Sequence, residues 1–170
     1  MLVQTSEDNT ANNAPDNLSI LNTKEPYSLH ERESLKSSII LVRQNIDIML
    51  NGIKESDDSK IQTSIDFISG LNKPHRGERN ISRKLNEEAL LDLKHGNFDD
   101  AVHKFKLALD YDLGDQEVAN NLGYAFIKTG DYELATNALA HSLLISPTRS
   151  SAWANLAYIL AKSDRINGST

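Results

Sequence analysis

The sequence predicts an all-α protein. Three observations carry that prediction: a motif that returns every 34 residues between Leu85 and Ala161, an apolar series at helical spacing ahead of it, and a capping box that opens that series. In the repeat, Gly96, Asn97 and Phe98 return as Gly130, Asp131 and Tyr132, and Ala101 returns as Ala135. Asn121 and Leu122 return as Asn155 and Leu156, while Lys94, Lys128 and Lys162 form a third matching series. Small residues at Ala101, Ala108, Ala135 and Ser142 let two helices cross closely, because a bulky side chain there would push the axes apart. Leu122, Phe126, Trp153 and Leu160 are large enough to fill the space beside them. A single helical hairpin of this kind leaves one apolar face wet, so stacking on the next hairpin completes the core.

The elements follow in order. Residues 1–27 are rich in Asn, Asp, Ser and Thr without apolar periodicity, so they bury too little to offset the entropy of ordering and are expected to form a disordered tail. Ser28 with Glu31 three residues on makes the capping box, with Tyr27 placed to staple it. Leu35, Ile39, Val42, Ile46, Met49 and Ile53 then recur at steps of four and three on one helix face. Ile40, Leu41, Ile48 and Leu50 widen that face, which calls for burial against a neighbouring helix and the repeats, or against a second copy of the chain. A short strand at Ser38–Val42 is disfavoured by the length of the period. Ser56-Asp57-Asp58 is a turn and cap, and Ile61, Ile65, Ile68 and Leu71 mark a second helix ending near Gly70, so 28–71 reads as a helical hairpin. Residues 72–80 combine helix breakers with cations and read as a solvated basic linker. Helices are then expected at 82–95, 98–112, 116–129, 132–145 and 150–163, with a polar tail at 164–170.

A 34-residue unit of two helical patterns joined at a Gly-Asn or Gly-Asp turn resembles the tetratricopeptide repeat. The middle unit, 116–149, supplies Leu122-Gly123-x2-Phe126, then Ala135-x3-Leu139, then Pro147. The first keeps Ala101-x3-Phe105 and Ala108, but carries Glu88-Ala89 in place of Leu-Gly and Leu113 in place of Pro. The last supplies Trp153-x2-Leu156-Ala157-x2-Leu160 without a second helix, leaving its first helix as the lid of the array. Two whole units and one half cover 81–163, and the resemblance implies a short right-handed α-solenoid of antiparallel helix pairs. No family resemblance attaches to 28–71.

Composition narrows the chemistry. Zero Cys excludes disulfides, thiol catalysis and zinc–thiolate sites. No run approaches the roughly 20 apolar residues of a membrane span, and no signal peptide or lipidation Cys is visible, so a cytoplasmic location is expected. His30, His75, His95, His103 and His141 are scattered without an i, i+4 pair and read as surface or turn residues. Asp110, Asp112 and Asp115 lack the Glu that closes a calcium loop and read as a polar turn between units. With no phosphate loop, nucleophile motif or metal set, neither an enzyme nor a cofactor is expected. The net charge of −6 hides an uneven distribution: Lys73, Arg76, Arg79, Arg83 and Lys84 against Glu78 give +4 over 73–84 and leave −10 elsewhere. That cluster could meet a phosphate backbone or an acidic protein, but it lacks aromatic residues for base stacking in a chain that repels polyanions.

The family resemblance places the first helix of each unit on a concave side that binds other proteins. It points to Arg83, Asn86, Leu90 and Lys94, then to Glu117, Asn120, Asn121, Tyr124, Ile127 and Lys128, then to Ser151, Asn155, Tyr158 and Lys162. Tyr124 and Tyr158 lie one repeat apart, as do Lys128 and Lys162, giving an aromatic and a cationic ladder suited to a peptide or helix with apolar and acidic side chains. Some tetratricopeptide domains hold acidic chaperone tails in a clamp of Lys and Asn. Here Asn121 matches that clamp, whereas Asn86, Leu90, Ser151 and Asn155 stand where Lys, Asn, Lys and Lys or Arg are wanted. In layout the chain also resembles the chaperones of bacterial secretion-system translocators. The expected role is a protein-binding adaptor, with the hairpin supporting, dimerising or autoinhibiting it.

Overall fold

The computed structural model describes residues 26–167, with side chains described through Lys162. Most of the expected tail 1–27 and the last three residues of 164–170 therefore lie outside the described residues. Within them the chain forms α1 (Leu29–Glu55), α2 (Asp58–Gly70), α3 (Arg79–His95), α4 (Phe98–Tyr111), α5 (Gln116–Thr129), α6 (Tyr132–Ile145) and α7 (Ser150–Asn167), with no strand among the described residues. The fold is the all-α helical repeat that the 34-residue period implied. At Ser38–Val42 the helix wins over the strand, and α7 runs four residues beyond the expected end at 163.

Helix α1 starts where the capping box puts it. The Ser28 hydroxyl accepts the Glu31 N–H at 3.3 Å, and the Glu31 carboxylate accepts the Ser28 N–H at 2.7 Å. Leu35, Val42, Ile46 and Met49 are buried along one face, against α2 and α6. The wider part of the apolar surface is only partly used: Leu50 packs on the core, while Ile40, Leu41 and Ile48 remain exposed. The turn into α2 passes through Ser56 at φ 54°, and Asp57 caps α2 by accepting the N–H groups of Ser59 and Lys60.

The repeat units use the same turn twice. Gly96 and Gly130 end α3 and α5 at φ 82° and 86°, a left-handed conformation that only glycine adopts without steric cost. The next N–H then donates back into the helix, Asn97 to Asp92 O and Asp131 to Phe126 O, both at 2.9 Å. Helix α3 packs on α4, α4 on α5, α5 on α6 and α6 on α7, so each unit covers the face left open by the one before. Inside the middle unit α5 and α6 come close at Gly123, where an added Cβ would sit 2.7 Å from the Leu139 side chain. A single apolar core runs from Val42 through Phe105, Phe126 and Leu139 to Ile159, with Trp153 packed against its edge.

Two expectations change. The side chains of Lys73, His75 and Arg76 are exposed, with His75 Nδ1 3.1 Å from Glu31 Oε1 and Arg76 Nη1 3.6 Å from Asp112 Oδ2, but the backbone of 72–80 is not free. The Gly77 N–H donates to Asp112 Oδ1 at 3.1 Å and the Glu78 N–H to Tyr111 O at 2.7 Å. Tyr27, instead of only stapling α1, is buried, and its hydroxyl donates to His75 O and accepts the Leu113 N–H, both at 2.9 Å. The segment is thereby strapped to the corner between α4 and α5: the Gly77 amide supplies a partner to the buried Asp112, and Tyr27 bridges the Leu113 amide to the His75 carbonyl. Secondly, His141 is not on the surface. It lies in the core side of α6, where its Nε2–H donates to Leu113 O at 2.8 Å and burial pushes its pKa down to about 4.

Each change of packing has a measurable consequence. Gly123→Ala should destabilise the fold by about 1–3 kcal/mol in chemical denaturation, since crowding against Leu139 exceeds the roughly 1 kcal/mol gain in helix propensity. Gly70→Ala, with nothing within 4 Å of the new atom, serves as the control and should be neutral or stabilising. For His141 the folded-state pKa lies below the unfolded value of 6.5, so the unfolded chain takes up the proton first. Its contribution should be intact above pH 6.5 and lost as the pH falls towards about 4, by roughly 3 kcal/mol in all. His141→Leu should flatten the stability–pH slope in that window, and an unchanged slope would refute the assignment.

Candidate functional site

Three first helices, α3, α5 and α7, present one shared face, and polar side chains hold them in register. Asn121 Nδ2 donates to Asn86 Oδ1 at 3.0 Å, and one unit on, Asn155 Nδ2 donates to Asn120 Oδ1 at 3.3 Å. These are the same bond made twice, because each partner has moved on by 34 residues. At the start of the face Arg83 ties α3 to the N-terminus of α5. Its Nη1 donates to Glu117 Oε2 at 2.6 Å, and its Nε lies 3.0 Å from Asp115 Oδ2. Asp115 is fully buried and also caps α5 by accepting the N–H groups of Glu117 and Val118. The hydrogen bond to Glu117, followed by the nearby Asp115 charge, raises the Arg83 pKa and keeps the guanidinium charged.

Beyond these ties the face opens into a hollow of about 330 Å³ lined by Tyr124, Ile127, Lys128, Asn155 and Tyr158. Both tyrosines are among the exposed large side chains, at 39% and 47%, while Ile127 is buried beneath them. Lys128 Nζ lies 5.1 Å from the centroid of the Tyr124 ring, and Lys162 Nζ lies 5.6 Å from that of Tyr158. Each lysine is one helical turn after its tyrosine, so the i, i+4 geometry of the helix builds the pair. The two ladders seen in the sequence are therefore one row of cation-capped rings. Such a row offers apolar ring surface and positive charge side by side, with no carboxylate among the residues that line it.

The structure sorts the expected contact residues. Tyr124, Ile127, Lys128, Asn155 and Tyr158 come together, and Lys162 stands over the last ring. Leu90 and Lys94 on α3 and Ser151 at the start of α7 are exposed but do not line the hollow. Arg83 donates to Glu117, Asn121 to Asn86 and Asn155 to Asn120 across the seams, with Asn86 and Asn120 buried. Expecting all of them to face a ligand overlooked how closely adjacent first helices pack: polar groups caught there must bond to each other. A 34-residue echo, Asn86 with Asn120 and Asn121 with Asn155, was the available signal for these ties. Sequence reasoning also missed a second hollow, of about 300 Å³, between α1, α6 and α7, where Ile40, Leu50, Leu156 and Leu160 meet Arg43 and Thr136. No periodicity could locate it, since it depends on where α1 docks.

Among the described residues no three His, Asp or Glu side chains converge as a metal site, and no helix is long and apolar enough to cross a membrane. No curated protein matches the chain. A family model does: the tetratricopeptide repeat matches residues 92–162, from within α3 to the described end of the α7 side chains. The chain thus carries a tetratricopeptide repeat array at residues 92–162, preceded by the helical pair α1–α2, which the family match does not reach.

Proposed function

We propose that the chain is a non-enzymatic adaptor that holds a segment of another protein against the shared face of α5 and α7. The observation that carries this reading is the hollow between Tyr124 and Tyr158, with Lys128 and Lys162 each over a ring. Exposed aromatic side chains on rigid helices bury large area at little conformational cost, which is the chemistry of binding hot spots. The adjacent ammonium groups favour a peptide or helix that alternates apolar and acidic side chains. Tetratricopeptide arrays are generally protein-interaction scaffolds, and the match over 92–162 supports that class.

The remaining elements agree with this assignment. Helices α1 and α2 pack on α6, and neither contributes to the lining of the hollow, which favours a supporting over an autoinhibiting role. The Arg43 guanidinium holds α1 to α6 through Glu133 at 2.7 Å and Asn137 at 2.9 Å. Nucleic-acid binding through 73–84 is disfavoured because Arg83 is engaged by Asp115 and Glu117, and Arg76 lies 3.6 Å from Asp112. A chaperone for an export substrate would use the same hollow. It differs in that its client stays soluble only when the two are co-expressed.

The test is recovery of partners by wild type and by a Tyr124→Ala, Tyr158→Ala double variant, with melting curves confirming that both are folded. Loss of two exposed aromatic anchors should weaken the partner complex by roughly 30-fold or more, at 1 kcal/mol or more per ring. Neutralising Lys128 and Lys162 to Gln should weaken it less and reduce its dependence on salt. Identical recovery by wild type and the double variant would overturn the proposal.

A further inference from the structure

Because the units repeat at a fixed offset, α5 shows what α7 lacks. In α5 the residues Ala119, Gly123, Phe126 and Ile127 are buried, and an added Cβ at Gly123 would sit 2.7 Å from Leu139 of α6. Thirty-four residues on, the equivalent positions of α7 are Trp153, Ala157, Leu160 and Ala161. Trp153 is half-buried, with its Nε1–H donating to Pro147 O at 2.8 Å, whereas Ala157, Leu160 and Ala161 are exposed. The other side of α7, with Ala152, Leu156 and Ile159, is buried as its counterparts in α5 are. One flank of α7 is therefore the docking side of a helix pair, and no helix of the described residues covers it. Helix α1 passes nearby but leaves the hollow lined by Ile40, Leu156 and Leu160 between the two.

We propose that this flank is closed by a second copy of the chain, α7 lying antiparallel on α7 about a two-fold axis at Ala157. The steric pattern is self-complementary about that residue. In such a pair a residue a given number of positions before 157 faces the one the same number after it. Leu160 then faces Ala154 of the second copy, and Trp153 faces its Ala161, so each large side chain meets a small one in both halves of an isologous contact. Ala157 itself sits at the crossing, in the place that Gly123 occupies in the α5–α6 pair, where small size permits close approach. An antiparallel neighbour is also what α6 provides for α5. Trp153, Ala154, Ala157, Leu160 and Ala161 carry no charge, so apposing two copies brings no like charges together along this strip.

The hollow beside the strip extends the contact onto Ile40, which is 57% exposed and gains a cover on the same side. An 18-residue helix is about 27 Å long, so the strip offered by α7 is short. A contact confined to one helix and the neighbouring part of α1 is smaller than the roughly 800 Å² per partner of a standard stable interface, so dissociation in the micromolar range is expected.

Analytical ultracentrifugation of the full 170-residue chain over a concentration series tests the proposal. Wild type should shift from monomer to dimer within the micromolar range. Ala157→Glu and Ala157→Lys should each remain monomeric at every concentration with the wild-type helix content, and mixing the two should restore a dimer. Ala154→Trp, which sets a large side chain against Leu160 of the second copy, should weaken association at least tenfold and guards against a folding defect peculiar to position 157. A wild type that stays monomeric, an Ala157→Glu variant that dimerises normally, or a mixture of the charge variants that stays monomeric would each overturn it. The Tyr124–Tyr158 face is not involved, so partner recovery by Ala157→Glu should match wild type whatever the oligomeric state.

Discussion

Everything in this molecule depends on how near one helix can come to the next at the crossing inside a unit. At Gly123 the α5 backbone lies against the Leu139 side chain with no room for a methyl group, which fixes how closely α5 and α6 cross. Close packing there lets Phe126 and Leu139 share a core with Phe105 of the preceding unit and with Leu156 and Ile159 of the following one. It also brings successive first helices close enough for their asparagines to bond directly. The hollow at Tyr124 and Tyr158 is a product of the same geometry, since two rings one repeat apart are held on parallel supports.

Polar groups are disposed according to what the stack leaves them. At the seams, Asp115 and Asp112 are fully buried and are compensated by helix N–H groups, by Arg83 and by the strap through Gly77. Burying a carboxylate is costly unless it is paired and hydrogen-bonded, so these residues fix the geometry of the corners more than they add net stability. The cations of 73–84 are consequently divided between structural and solvent-facing duties. On the open face, Lys128 and Lys162 have no carboxylate beside them in the hollow and lie over their own tyrosines.

The helical pair α1–α2 changes the meaning of the array. The second helix α6 is covered by α1 and α2, with Arg43 clamping the contact and Tyr27 anchoring the start of α1 to the α4–α5 corner. The outer face of α6 is thus occupied from within the chain, while the hollow between α5 and α7 stays open.

The order of helices and their ends were legible in the sequence because they rest on local physics. The 34-residue echo, the capping residues Ser28 and Asp57, and the glycines at 96 and 130 act within a turn or two of chain, and the helices α4 to α6 begin and end within a residue of where those signals stand. Tyr124, Lys128, Tyr158 and Lys162 were legible for the same reason, as an i, i+4 pair repeated once. What only tertiary structure decided is which polar residues face a neighbour and which face water. Asn86, Asn120, Asp112 and His141 look like surface residues in a one-dimensional reading, yet each is buried because a second element, far away in sequence, closes over it. The docking of α1 on α6, the strap at 72–80 and the uncovered flank of α7 belong to the same class. They follow from long-range packing, whose partners no local pattern names.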